Sequence, residues 1–206
     1  AEMPAEFELE ALKAQAVVAR TYALKRVLYG NKHKNHAVCT DPSCCQAYIA
    51  VTEYIAKDNG EACIAKASQA VRETATEILT YDGDLIDATY YSCSGGKTED
   101  AVDVWGAEIP YLRAVVSPGE ESAEHFTDTK QFGFEEFCSL LSVDSDAVKS
   151  EGIHVVAHTK GGGVKTLQVG GVLFSGVEVR RILRLRSTAF QVTQTGDSII
   201  FTTKGY

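Results

Sequence analysis

The chain has 206 residues, of which 45% are hydrophobic and 23% are charged, a composition typical of a folded protein of one or two domains. Its formal net charge of −8 would repel a phosphate backbone, which argues against nucleic acid as a partner. No apolar run in the sequence reaches the ~18 residues that a membrane span needs.

The apolar pattern from Phe7 to Tyr29 predicts a long amphipathic helix. Leucine, alanine and valine recur there at three- and four-residue steps and would form one buried stripe. Acidic residues load the first turns, Lys25 and Arg26 lie in the last turn, and Gly30 can end the helix. Arg20 lies at the edge of the stripe, so we expect it to need a carboxylate partner.

Shorter elements are predicted along the rest of the chain. Helical spacing indicates helices at 49–56, 61–74, 134–141 and 177–185. Alternation indicates strands at 78–81, 85–91, 154–158 and 166–172, with a final hairpin at 189–203. Because the strands fall into hairpins and not βαβ units, the sequence predicts an α+β fold. In it, the long N-terminal helix packs on antiparallel hairpins, and a smaller helix and strand subdomain forms the C-terminal part.

A polar stretch around Pro118-Gly119 is a plausible seam between two parts of the chain. It predicts a core at 1–115, which holds the long helix, a cysteine–histidine loop and a serine–glycine loop. Residues 116–206 are then expected to form a second α+β subdomain that completes a ligand groove.

The loop after the long helix is rich in histidine and cysteine. His33, His36, Cys39, Cys44 and Cys45 fall within 13 positions. Imidazole and thiolate are the ligands that tetrahedral zinc prefers, and the six-residue spacing of His33, Cys39 and Cys45 lets a loop curl around one ion. The adjacent Cys44 and Cys45 are not expected to bind the same ion. A disulfide from Cys39 to Cys44 or Cys45 is the alternative.

Two glutamates near the start of the long helix are candidate acid–base residues. Glu2 precedes Met3-Pro4, and Pro4 restricts the backbone that leads into the helix. A carboxyl group at this place can serve as a general acid, complement the helix dipole or pair with Arg20. Glu10 lies off the apolar stripe, where a solvated first-turn acid is the simpler interpretation.

The loop at 92–98 has the composition of a sugar-binding site. Its hydroxyl groups and unobstructed backbone N–H groups come from Ser92, Ser94, Gly95, Gly96 and Thr98. The aromatic residues that accompany it, whose faces can stack on pyranose rings, are Tyr91, Trp105 and Tyr111. An ordinary tight turn beside core aromatics is the alternative interpretation.

These segments resemble the SpoIID family of sporulation proteins. The matching blocks are Glu2-Met3-Pro4, 10–17, 19–22, 45–48, 92–100, 104–106, 110–112, 185–188 and Phe190. The resemblance spans almost the whole chain, and its first block is highly specific. Family members usually begin upstream with a membrane anchor and continue past this chain's last residue, so we expect this sequence to be truncated at both ends.

The resemblance implies a peptidoglycan lytic transglycosylase, which cleaves the MurNAc–GlcNAc β-1,4 bond and forms 1,6-anhydroMurNAc. The attacking group is the sugar's own C6 hydroxyl, so one carboxyl group suffices where a hydrolase normally needs two. The match to the first block assigns that carboxyl to Glu2, with Glu10 as the alternative. The expected substrate-binding residues are Gln46, Tyr91, Ser94, Gly95 and Trp105.

The resemblance also implies partners and a place of action. The substrate is expected to be glycan strands without stem peptides, and the partners a cell-wall amidase and the membrane scaffold of the engulfment machinery. The protein is expected to lie outside the cytoplasm, in the septal intermembrane space of sporulating cells. It would be anchored to the membrane through an N-terminal segment upstream of this sequence. No cofactor is needed for the chemistry, and a structural zinc is expected at His33, Cys39 and Cys45. A non-catalytic glycan-binding scaffold for an amidase is the main alternative, and a zinc hydrolase using His33 and Cys39 is a further one.

Overall fold

The computed structural model describes residues 2–30 and 32–206. The chain divides into two compact units between Tyr90 and Tyr91, earlier than the seam that the sequence predicts after residue 115. The backbone explains the difference, because the serine–glycine loop is hydrogen-bonded to later segments. Cys93 and Tyr206 exchange two backbone hydrogen bonds, of 3.2 and 2.9 Å, and the loop therefore belongs with the second unit.

The first unit is built on two helices that pack against each other, α1 (Leu9–Tyr29) and α3 (Gly60–Glu73). The unit also contains α2 (Val51–Ile55) and the short strands β1 (Thr80–Tyr81) and β2 (Asp84–Leu85). Gly60 allows α2 and α3 to meet closely, because a Cβ atom there would overlap the carbonyl oxygen of Tyr54. The predicted long helix is confirmed, and none of the described helices is both long and apolar enough to cross a membrane.

The β1–β2 hairpin is shorter than predicted. Only Thr80–Tyr81 pairs with Asp84–Leu85, where the sequence predicts strands at 78–81 and 85–91. The backbone N–H of Leu79 donates instead to the hydroxyl of Thr21 on α1, at 2.9 Å. Thr21 is fully buried, so this contact fixes the hairpin against α1 and removes one donor from the strand pair.

The second unit contains two three-stranded antiparallel sheets. One has the order β3–β8–β7, and its strands span Thr127–Gly133, Ser198–Lys204 and Phe190–Thr195. The other has the order β4–β5–β6, with strands at Ile153–His158, Val164–Val169 and Val172–Ser175. Its helical segments are α4 (Ala101–Trp105), the 3₁₀ turn Glu120–Ser122, α5 (Phe134–Leu141), α6 (Ser145–Glu151) and α7 (Gly176–Leu183).

A single apolar cluster forms the core of this second unit. Its fully buried side chains come from both sheets and from α5, α6 and α7, and the largest are Phe137, Leu167, Ile199 and Phe201. Helices and antiparallel sheets in this arrangement confirm the predicted α+β fold. The unit places the serine–glycine loop beside the chain end that follows β8, where backbone hydrogen bonds hold it.

Candidate functional site

The loop that follows α1 gathers four metal-ligand side chains. One ligand atom each from His33, Cys39, Cys44 and Cys45 lies within 4.8 Å of all the others. His33 Nε2 is 3.3 Å from Cys45 Sγ and 3.7 Å from Cys44 Sγ, and the two sulfur atoms are 4.0 Å apart. A tetrahedral zinc ion with its usual bond lengths separates such ligand atoms by about 3.6–3.8 Å. The described cluster therefore has the ligand types and the spacing of a site that can hold zinc.

Cys44 lies in this cluster together with Cys45, contrary to the expectation that these adjacent side chains would not share an ion. A turn at Asp41 explains the arrangement. The Asp41 carbonyl oxygen accepts hydrogen bonds from the N–H groups of Cys44 and Cys45, at 3.0 and 2.8 Å, and its Oδ1 accepts one from Ser43 N–H at 2.8 Å. This tight curl turns two consecutive sulfur atoms toward His33.

His36 supports the cluster from outside it. Its ring stacks on that of His33 with a centroid separation of 4.5 Å, and it does not belong to the set of four ligand residues. All six cysteines have free thiols in the structure. The cluster thus contains the predicted ligands His33, Cys39 and Cys45 together with Cys44.

Hydrogen bonds favour the thiolate form of Cys45. The backbone N–H of Cys39 and then the His33 side chain donate to this sulfur and lower the pKa of Cys45 to about 6. At Cys39, a backbone hydrogen bond at Asp41 lowers the pKa, but desolvation and the neighbouring thiols outweigh it and raise the pKa. Unequal pKa values of this kind are typical of thiols that share a small volume and cannot all carry charge together.

Glu2 contacts the segment that leaves this cluster. Its Oε1 atom accepts a hydrogen bond from the backbone N–H of Ala47, two residues after Cys45. The side chain of Tyr90 also interacts with the Glu2 carboxylate. Desolvation, followed by the Glu2 charge, raises the pKa of Tyr90 to about 12, so this hydroxyl stays protonated and able to donate. Glu2 itself is exposed, which leaves its carboxyl group accessible to a ligand.

Glu10, the alternative acid, has different surroundings. Its side chain is 81% exposed and forms an ion pair with Lys13 at 2.7 Å. Lys13 also binds Glu73 of α3 at 2.6 Å, so Glu10 belongs to a solvated ion-pair network on the helix surface. These contacts match the solvated role that its position on the helix indicates.

Gln46 lies between Cys45 and Ala47 and is half-buried. Its Nε2 atom is buried and has no hydrogen-bond partner among the described residues. A buried amide donor without a partner is costly, and a bound polar ligand or water would satisfy it. In the first unit, the structure thus brings Glu2, Gln46 and the metal cluster together.

The other predicted substrate-binding residues lie in the second unit. Tyr91 and Trp105 are 57% and 58% exposed, which leaves their rings available for stacking. Ser94 is buried, and its hydroxyl donates to the carboxylate of Glu120 and accepts from Gly96 N–H. Gly95 is packed against later residues, since a Cβ atom there would lie 3.1 Å from that of Ala189. The side chain of Ser94 and the Cα of Gly95 thus face protein, and only the aromatic rings face outward.

A polar cavity of about 630 Å³ in the second unit was not found by sequence reasoning. It is lined by Lys97, Asp100, Glu108, Arg113, Ala114 and Lys160. The Asp100 carboxylate is 2% exposed, accepts a hydrogen bond from Ala114 N–H at 2.5 Å and lies 3.2 Å from Lys160 Nζ. The Ala114 hydrogen bond and then Lys160 lower the pKa of Asp100.

Tyr90 was also missed, although its neighbour Tyr91 was chosen. The sequence gives no indication that Tyr90 interacts with Glu2, because the two residues are 88 positions apart and only the fold brings them together. Cys44 was missed for a local reason, since the Asp41 turn decides where consecutive cysteine side chains point.

Comparisons with known proteins show which proteins the chain is similar to. The SpoIID family model, described as Stage II sporulation protein, matches residues 1–81. Stage II sporulation protein D of Bacillus subtilis (strain 168) is 34% identical over 210 residues, which covers 100% of this chain and 61% of that protein. Its counterpart in Bacillus amyloliquefaciens is 33% identical and is covered to 60%.

A third relative, the amidase enhancer of Bacillus subtilis (strain 168), is 37% identical over 113 residues, which is 55% of this chain and 14% of that protein. The chain thus spans about 60% of the length of the two sporulation proteins that it matches. The similarity to the two sporulation proteins extends along the whole length of this chain. The family model matches its N-terminal part, residues 1–81. By both comparisons the chain is similar to the SpoIID family of stage II sporulation proteins.

Proposed function

We propose that this chain is the catalytic part of a peptidoglycan lytic transglycosylase that acts in sporulating cells, with Glu2 as its single acid–base residue. The observation that carries this proposal is the environment of Glu2. An exposed carboxyl group at the head of the block most typical of the family accepts a hydrogen bond from Ala47 N–H and interacts with the side chain of Tyr90. Preorganised donors of this kind fix a catalytic carboxyl group in one orientation.

The reaction needs one proton to move twice. Protonated Glu2 gives its proton to the glycosidic oxygen as the bond from that oxygen to C1 of MurNAc breaks, which releases the GlcNAc 4-hydroxyl. The resulting carboxylate then takes the proton of the C6 hydroxyl while O6 forms a bond to C1. Glu2 ends protonated, no water is consumed, and the product carries a 1,6-anhydro ring.

The first unit supplies the groups that hold this carboxyl. Ala47 N–H binds Oε1 and leaves Oε2 to carry the transferred proton. Gln46 Nε2, buried and unpaired, is placed to donate to a sugar substituent. In the second unit, the exposed rings of Tyr91 and Trp105 would stack on sugar faces, and the Ser94–Gly95 segment would contribute through its backbone.

The cysteine–histidine cluster is proposed as a structural zinc site. Cys39, Cys44, Cys45 and His33 would hold a zinc ion with three thiolates and one imidazole, the number and types of ligand found in closed structural sites. A catalytic zinc keeps one position open for water or substrate, which four protein ligands do not leave. The donor set therefore favours a role in ordering the loop over the zinc hydrolase alternative.

The decisive experiment is mass spectrometry of the products from amidase-treated peptidoglycan. The unaltered protein, Glu2→Gln, Glu10→Gln and Glu8→Gln are compared, with folding checked by circular dichroism. We expect 1,6-anhydro products from all except Glu2→Gln. Products that survive in Glu2→Gln but vanish in Glu10→Gln would move the role to Glu10, and products with only reducing ends would indicate a hydrolase.

A second candidate function is a non-catalytic glycan-binding scaffold for a cell-wall amidase. The match to a protein named amidase enhancer favours it. This candidate predicts glycan binding without turnover in both the unaltered protein and Glu2→Gln. Either function would operate outside the cytoplasm, where the glycan lies.

The metal proposal is tested by elemental analysis of the purified protein. We expect about one zinc per chain, and loss of that zinc in Cys39→Ser and in Cys45→Ser, because each removes one of four ligands. Cys63→Ser is the matched control, since Cys63 is buried in α3 and lies outside the cluster. An intact mass that shows a disulfide at Cys39 would contradict the metal site.

A further inference from the structure

The contact between Ala47 and Glu2 joins two sites that lie far apart in the sequence. The donor follows the last metal-ligand cysteine by two residues, and the acceptor is the proposed acid, 45 positions earlier. The donor is a backbone N–H group, so its position depends on the path of the main chain and not on a rotamer. Whatever fixes that path also fixes this hydrogen bond.

The path of this segment is set mainly at its ends. Residues 46–50 form no helix or strand, and they connect the Asp41 turn with α2. At the α2 end, Tyr54 N–H binds the Ala50 carbonyl oxygen at 2.9 Å. At the other end, the segment continues directly from Cys45, whose sulfur is one corner of the metal cluster. Ala47 is therefore placed largely by the cluster.

The cluster is in turn attached to α1. Tyr22 of α1 interacts with the Cys45 side chain, and the Arg26 guanidinium lies 5.2 Å from the centre of the Tyr22 ring. Glu2 shortly precedes the same helix. The contacts thus close a ring that runs from α1 through Tyr22, Cys45 and Ala47 to Glu2.

From this ring of contacts we infer that a metal ion in the cluster positions the Glu2 carboxyl group through Ala47 N–H, so that metal occupancy and the Glu2 carboxylate stabilise each other. The effect on catalysis rests on the proposed function, in which Glu2 is the acid. The coupling between the metal ion and Glu2 does not depend on that role. The coupling itself follows from linkage: if the ordered loop binds both the ion and the carboxylate, loss of either weakens the other. Cys44, Cys45 and Ala47 are then positioning residues for the acid.

The reciprocal effect is measured as zinc affinity, by competition with a chelating dye, and needs no substrate. We expect Glu2→Ala to bind zinc at least about fivefold more weakly than the unaltered protein, the lower end of the range typical of coupled sites. Glu2→Gln keeps an oxygen acceptor for Ala47 N–H and should show a smaller loss. Glu8→Ala removes one exposed acid from the same region and should bind zinc like the unaltered protein.

Hydrogen exchange at the Ala47 amide gives a second readout. In zinc-saturated protein, Glu2→Ala should speed the exchange of Ala47 N–H and leave that of Leu79 N–H, which binds Thr21, unchanged. Partial removal of zinc should also lower kcat, because the acid loses its position when Ala47 N–H moves.

Equal zinc affinity in Glu2→Ala and Glu8→Ala, with unchanged Ala47 exchange, would overturn the inference even if Glu2→Gln abolishes turnover. Conversely, a clear loss of zinc affinity in a protein without transglycosylase activity would support the coupling and contradict the proposed function. These experiments can therefore contradict the coupling between the metal ion and Glu2 without contradicting the proposed function, and the reverse.

Discussion

Arg20 of α1 donates a hydrogen bond from Nη1 to the carbonyl oxygen of Glu77, 2.8 Å away. Its Nη2 lies 3.3 Å from the Thr74 hydroxyl and 3.4 Å from the carbonyl oxygen of Val71. These acceptors lie at and just beyond the C-terminal end of α3, where carbonyl groups lack helical partners and a cation is favoured. The sequence predicts a carboxylate partner for Arg20, but backbone carbonyls and a hydroxyl take that place.

Replacing Arg20 with alanine should lower the free energy of unfolding by about 1–3 kcal/mol, because several acceptors at the end of α3 lose their donor together. Arg20→Lys keeps the charge but cannot span the acceptors, so it should recover only part of the loss. Urea denaturation followed by circular dichroism measures the difference. Arg72→Ala, an exposed change on α3, is the control, and equal stability of the two alanine variants would contradict this account.

The aromatic core of the second unit gives a larger expected effect. Phe201 is fully buried, and its ring centre lies 5.4 Å from Phe190, 5.8 Å from Phe137 and 6.1 Å from Phe132. Phe201→Ala should cost about 3–5 kcal/mol, since it removes these contacts and leaves a cavity. Thermal unfolding measured by calorimetry should show the loss. Val156→Ala on β4, at a residue that is 56% exposed, should change little.

The parts of the fold that the sequence predicts are those with a clear apolar period. Helix α5 matches its predicted bounds, and the hairpins β4–β5 and β7–β8 lie where alternation indicates strands. Strand β3 was missed because its sequence, Thr127–Gly133, has almost no apolar residues. It forms a strand because it pairs with the apolar strand β8. Its Lys130 side chain donates hydrogen bonds to the carbonyl oxygens of Leu183 and Arg184 at the end of α7.

The candidate site also has features that the sequence predicts and features that only the structure reveals. Residue types alone indicate zinc ligands in the loop after α1, but the inclusion of Cys44 depends on a turn that only the structure reveals. The proposed role of Glu2 comes from the family resemblance. The residues that interact with it, Ala47 and Tyr90, come from chain segments that no local pattern connects to it.

The turn between β4 and β5 allows a steric test. Glu99 Oε1 accepts hydrogen bonds from Thr159 Oγ1 at 2.9 Å and Gly163 N–H at 3.0 Å. A Cβ atom at Gly163 would lie 2.5 Å from that same oxygen and 2.6 Å from Thr188 Oγ1. Gly163→Ala should therefore cost about 1–3 kcal/mol through overpacking.

A double-mutant cycle separates this steric effect from the backbone change. The double variant with Glu99→Ala should be more stable than the sum of the single effects predicts, by about 0.5–3 kcal/mol, because the shortened side chain makes room. Gly133→Ala is the control, since no atom lies within 4 Å of a Cβ atom there. Additive effects would show that Glu99 does not set the requirement for glycine.

The contact between Tyr90 and Glu2 predicts a titration that reports on the proposed acid. Desolvation, the Glu2 charge and the hydrogen bond to Glu2 together raise the pKa of Tyr90 to about 12. Glu2→Gln removes the charge, so the pKa of Tyr90 should fall toward the usual value of ~10, though not fully, because desolvation remains. Carbon-13 NMR of labelled tyrosine rings, with Tyr90→Phe to assign the signal, measures its ionised fraction near pH 10.5.

The same contact determines how Tyr90 affects stability at high pH. Because its folded pKa lies above that of the unfolded chain, its contribution is fully present below about pH 10 and is lost as the pH rises toward 12. In Glu2→Gln this alkaline loss should be smaller, whereas Glu8→Gln should behave like the unaltered protein, since Glu8 is absent from the groups that shift Tyr90. An unchanged Tyr90 titration in Glu2→Gln would mean that the carboxylate and the phenol do not interact in solution. Among the described residues, the orientation of the proposed acid would then depend on Ala47 N–H.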